Sequence, residues 1–138
     1  MSKWKALIER FSSGNSNVVP NLPATETQLA EIEEKLKVIL PSDLRECLSE
    51  LDGDNWLIFS SAQIIETNER LRGMSCFMPL DCLLFVGGNG CGDYFGYPIT
   101  GEGIDDCNVF MWEHEYDNRV WRANGLQDLV EKYYSAEI

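Results

Sequence analysis

The stretch Leu83-Leu84-Phe85-Val86-Gly87-Gly88-Asn89-Gly90-Cys91-Gly92 constrains the fold of this chain more than any other. Four consecutive apolar residues predict a strand inside a sheet, covered on both faces. Glycines follow at once, so that strand must run into a turn. Glycine suits such a turn because it adopts positive φ and lets another backbone approach closely. Asp93 to Ile99 is again aromatic and strand-like until Pro98. The run is not a nucleotide loop. Asp93 or Phe95 falls where Gly-x-Gly-x-x-Gly needs its last glycine, and no Lys-Ser/Thr pair follows.

Upstream, the apolar period is helical. Trp4, Leu7, Ile8 and Phe11 make one stripe and predict a helix over 2–11. Thr25-Glu26-Thr27-Gln28 has capping-box spacing and predicts a helix over 25–39, burying Leu29, Ile32, Leu36 and Ile39. Pro41 separates it from a helix over 42–51 that presents Leu44, Cys47, Leu48 and Leu51 and is stopped by Asp52-Gly53. Trp56 to Phe59 reads as a short buried strand, and Ser60 caps a helix over 61–71.

Downstream, most segments are strands between 83 and 123. Gly101 to Asp106 is a polar loop. Val109 to Tyr116 and Arg119 to Ala123 form a hairpin about Asp117-Asn118. That two-residue turn places His114 opposite Trp121 and Glu113 opposite Arg122. Alternation then puts Trp112, His114 and Trp121 on one face and Glu113, Glu115 and Arg122 on the other. A helix over 125–134 follows. Helices first, strands next and one closing helix is an α+β order. The 138 residues are expected to form one domain.

Charge bears most directly on function. Twenty-three acidic residues against eleven basic ones leave a formal net charge of −12. Such a surface repels nucleic-acid phosphates and anionic membranes, and attracts basic partners. Seven carboxylates and no Lys or Arg lie from Asp93 to Asn118. Asp93, Asp105, Asp106, Glu113, Glu115 and Asp117 from this tract are the candidate partner-binding residues. EF-hand spacing is absent, so no metal is expected. No apolar run approaches the roughly 20 residues that span a bilayer. Met1-Ser2-Lys3-Trp4-Lys5 has no apolar stretch behind it to make a signal peptide. A cytoplasmic protein is expected. The five cysteines contain no Cys-x-x-Cys pair and read as small, reduced core residues.

His114 is the single histidine. Ser or Cys nucleophilic catalysis needs a general base, and a histidine beside tryptophan on a packed strand reads as a core or rim residue instead. No catalytic residue and no cofactor are expected.

Three motifs, in order, resemble the SUKH (Smi/Knr-like) superfamily. Leu40-Pro41, Leu44, Leu48 and Asp52-Gly53 resemble its helix signature. Leu84 to Asp93 resembles its glycine-rich strand-turn-strand core. Val109 to Glu115 resembles its late strand with a Trp and an acidic-histidine pair. Leu44 stands where an aromatic is common, and Asp52 replaces Asn. The likeness runs from about Thr25 to the C-terminus. It implies a mixed, mainly antiparallel sheet with helices packed against it. It also implies a non-catalytic immunity protein that binds and neutralises a secreted toxin, often a nuclease or deaminase. A regulatory interaction module with no toxin is the alternative, and a hydrolase built on the late carboxylates is a third.

Overall fold

The computed structural model describes residues 3–138. Four helices come first: α1 (Lys3–Phe11), α2 (Glu26–Leu36), α3 (Ser42–Glu50) and α4 (Ser61–Arg72). Five strands follow: β1 (Leu83–Gly88), β2 (Tyr94–Thr100), β3 (Gly103–Ile104), β4 (Val109–Glu113) and β5 (Asn118–Ala123). Helix α5 (Leu126–Tyr134) closes the order. The start expected at Ser2 lies outside the described residues.

The helix starts follow from their caps. The Thr25 hydroxyl accepts the Gln28 N–H at 3.1 Å, and Gln28 Oε1 accepts the Thr25 N–H at 2.8 Å. Ser60 and Gln63 repeat this at α4, at 3.2 and 2.8 Å. The end of α2 departs from expectation. Lys37 adopts the left-handed conformation at φ 58°, and its N–H bonds to Glu33 O. The helix therefore stops before Ile39, which is 83% exposed rather than buried.

The sheet order is β1-β2-β4-β5, with β3 paired to β2, and each of these ladders is antiparallel. The expected polar loop at 101–106 thus contains the short strand β3. One sheet face carries Leu84, Val86, Phe95, Tyr97, Val109 and Met111. These pack on Trp4 and Ile8 of α1, the apolar sides of α2 and α3, and Leu126, Leu129 and Val130 of α5. The other face carries Leu83, Phe85 and Trp112, covered by Leu71, Met74, Phe77 and Leu80.

β1 is buried along its length, yet it stands at the end of the sheet rather than at its centre. Its outer edge is covered by other means. The Phe59 N–H bonds to Val86 O at 2.9 Å, and the Gly88 N–H to Leu57 O at 3.0 Å. Asn68, fully buried on α4, donates to Phe85 O and accepts from the Phe85 N–H, both at 2.9 Å. Gly87 permits this approach, because a Cβ there would lie 2.6 Å from Leu57 O. The strand expected at Trp56–Phe59 reduces to one bridge, Ile58 to Gly87, and Trp56 is exposed.

The late hairpin takes a different register. Glu113 pairs with Asn118, Trp112 with Arg119, and Phe110 with Trp121. His114 to Asp117 form a four-residue turn in which Asp117 takes φ 56°. His114 therefore leaves the strand and does not face Trp121, and Glu113 does not face Arg122. Arg122 falls in the bulge opposite Val109 and Phe110. Trp121 is 43% exposed. Its ring lies 4.9 Å from the Lys132 ammonium, and its Nε1–H donates to Asn108 Oδ1 at 3.0 Å. The cysteines also depart from expectation: Cys47 is buried, whereas Cys76, Cys82, Cys91 and Cys107 are exposed, and all five are free.

Candidate functional site

The glycine turn between β1 and β2 is held by one asparagine. Asn89 Oδ1 accepts the N–H groups of Cys91 at 2.8 Å and Asp93 at 3.3 Å, while its amide donates to Asp93 Oδ2 at 3.2 Å. Gly90 and Gly92 take φ of 78° and 96°, which bend the turn back toward β2.

Asp93 then joins this turn to the next one. Its Oδ1 lies 2.7 Å from His114 Nδ1 and accepts the His114 backbone N–H at 3.1 Å. Burial would raise the Asp93 carboxyl. The His114 ring, the His114 N–H and Asn89 outweigh that, so it is held below the usual carboxylate range. The imidazole packs on Gly92, where a Cβ would meet His114 atoms at 3.0 Å.

Asp117 closes the same corner. It accepts from Met78 N–H at 2.8 Å, Trp112 Nε1–H at 2.8 Å and Arg119 at 2.7 Å. The Met78 N–H, followed by Trp112 and Arg119, holds this carboxyl low despite some desolvation. Asp93 and Asp117 are thus engaged within the fold. Glu113 is half-buried and Glu115 exposed at the tip between them.

Asp105 and Asp106 lie at the other end of β4, so the six candidate carboxylates do not form one cluster. Asp105 accepts from Cys107 N–H and the Asn108 amide, both at 3.0 Å. Ligand atoms of Asp105, Asp106 and Cys107 come within 4.8 Å of one another. The charge of Asp106 pushes the Cys107 thiol up, which opposes the thiolate form a metal would need.

Beside the glycine turn the packing is aromatic. Tyr94 stacks on Trp112 with centroids 6.2 Å apart and planes 12° from parallel. Phe59 meets Tyr94 edge-on at 5.8 Å, and Phe77 meets Trp112 at 4.9 Å. Two shallow clefts flank Tyr94 and share Gly92. One, of about 250 Å³, lies between residues 55–59 and the glycines 88, 90 and 92. The other, of about 220 Å³, is bounded by Arg70, Phe77, Trp112 and His114.

The wall of the first cleft rests on Asp54, which is fully buried. Asp54 Oδ1 accepts the N–H groups of Trp56, Leu57 and Ile58 at 3.0, 2.9 and 2.8 Å, and the Tyr134 hydroxyl donates to Oδ2. Sequence reasoning missed this group. The signal available was an Asp-Asn pair directly before an apolar run, which reads equally well as an exposed turn.

A family model described as the SMI1 / KNR4 family (SUKH-1) matches residues 23–132. The chain belongs to that family. A comparison with curated proteins finds no match. Among the described residues no helix is long and apolar enough to cross a membrane.

Proposed function

We propose that this chain is a non-catalytic cytoplasmic immunity protein, which binds a basic toxin domain of the nuclease or deaminase type and blocks its action. Family membership supports a protein-interaction role. The observation that carries the finer reading is the juxtaposition at the β4–β5 tip. Glu113 and Glu115 stand there without an ion-pair partner among the described residues, on either side of His114, which bounds the second cleft together with Phe77, Tyr94 and Trp112. Carboxylates speed the encounter with a basic surface, and aromatic anchors supply residence time. Asp93 and Asp117 hold the tip in shape, while Asp105 and Asp106 lie at the far end of β4 and belong to a separate acidic surface. The whole chain serves as one binding domain.

His114 with Asp93 has the form of a base and its orienting carboxylate. Its ring contacts Gly92, and among the described residues no hydroxyl or thiol hydrogen-bonds to it. That arrangement suits a structural clasp.

The test is co-expression with the toxic product of an adjacent reading frame. Restored growth together with a purified complex of the two proteins is the expected result. A toxin that kills equally with and without this chain refutes the reading, and a complex formed with a non-toxic regulatory protein instead supports the interaction-module alternative.

A further inference from the structure

The first cleft carries more chemistry than a generic contact surface. We infer that the cleft lined by Trp56, Phe59 and Tyr94 receives one arginine side chain of the partner protein. This rests on the protein-binding reading above and specifies its central contact.

Three observations point to a guanidinium. Three of the residues that line the cleft, Trp56, Phe59 and Tyr94, are aromatic, and aromatic rings attract cations through their quadrupoles. No Lys or Arg of the chain lines the cleft. Directly behind the wall lies Asp54, whose hydrogen-bond partners are three backbone N–H groups and one hydroxyl. Among the described residues it has no Lys or Arg partner. An acidic side chain with no basic partner directly behind the wall disfavours an anion in the cleft and leaves a cation as the fitting occupant.

The neighbouring cleft supplies an internal precedent. There the Arg70 guanidinium lies 5.8 Å from the Tyr94 centroid and donates to the Tyr94 hydroxyl at 3.1 Å. The same tyrosine therefore already holds a guanidinium from this chain, and the unfilled cleft is on the side that Arg70 does not line. Gly90 at the rim is exposed, with nothing within 4 Å of where a Cβ on it would be. A planar, weakly hydrated guanidinium stacks on aromatic faces better than an ammonium does. The net charge of −12 favours a cation at this surface.

The experiment uses the intact ¹⁵N-labelled protein and two probes, N-acetyl-arginine N-methylamide and its neutral analogue N-acetyl-citrulline N-methylamide. The backbone amides of Gly88, Gly90 and Gly92 and the Trp56 indole N–H report binding. Arginine is expected to give saturable shifts at these groups, with binding at least about tenfold weaker for citrulline and for Trp56→Ala. Asp54→Asn is expected to weaken arginine binding and leave citrulline unchanged. Trp56 is exposed, so its removal leaves the fold to report on the cleft even where Asp54→Asn does not fold. Equal response to both probes, undiminished binding by Trp56→Ala, or unsaturable shifts spread over the acidic surface would overturn the inference. The assay needs no toxin. Loss of arginine binding thus refutes this contact alone, whereas failed protection with arginine binding intact refutes the immunity reading.

Discussion

His114 Nδ1 lies 2.7 Å from Asp93 Oδ1, so two turns separated by 21 residues are clasped into one corner. The Asp93 carboxyl is held below its ordinary range in this clasp. A depressed folded-state value means the unfolded chain binds the proton more readily. The stability contributed is present above the unfolded value of about 3.9 and is lost as pH falls through the lower folded value. Urea midpoints measured from pH 6 to pH 2.5 should decline for the wild-type protein, and less steeply for Asp93→Asn. Identical slopes would show that Asp93 gains nothing from the clasp.

The two tryptophans of the late hairpin should separate cleanly. Trp112 is 2% exposed and packs among Phe77, Phe85 and Tyr94, so Trp112→Ala should cost about 3–5 kcal/mol. Trp121 is largely at the surface, with one hydrogen bond and one cation contact. Trp121→Ala should cost about 1 kcal/mol. Chemical denaturation of both variants checks the order, and equal losses would contradict the packing described.

Asn68 closes an edge that no strand closes. Asn68→Ala orphans the buried N–H and C=O of Phe85, each at a cost of about 1–3 kcal/mol. Hydrogen exchange at the Phe85 amide should accelerate beyond the global loss of stability. A stable variant with a protected Phe85 amide would mean that another group covers this edge.

Charge reversal at the tip should distinguish recognition from scaffolding. Glu113→Lys with Glu115→Lys should keep the fold and slow association with a basic toxin domain by about tenfold or more at low salt. Adding Asp117→Lys should instead destabilise the protein, because Asp117 accepts from Met78, Trp112 and Arg119. Unchanged association rates for the double variant at low salt would move the docking face elsewhere, first to the exposed carboxylates of the acidic stretch from Glu26 to Asp54.

Local rules carried far in this chain. The capping boxes at Thr25 and Ser60, the apolar stripes of the helices (Ile39 of the second excepted) and the glycine turn after Val86 each depend on neighbours within four or so residues, and they appear where the sequence predicts them. The same holds for the α+β order and for the family, whose motifs are short and contiguous. The sequence by itself therefore determined the five helices, the helices-then-strands order and the net charge.

Tertiary structure decided what depends on distant partners. The four-residue turn at His114–Asp117 is set by Met78 on Asp117 and by Asp93 on His114, contacts that span 39 and 21 residues. A two-residue turn satisfies the local pattern equally well, because alternation along a strand survives a shift of register while the cross-strand pairs change. Burial of β1 at the end of the sheet required Leu57, Phe59 and Asn68. Asp54 became the support of a cleft because Tyr134, 80 residues away, reaches its second oxygen. Hydrogen bonds of such span leave no periodicity in the sequence, and the candidate site is built from them.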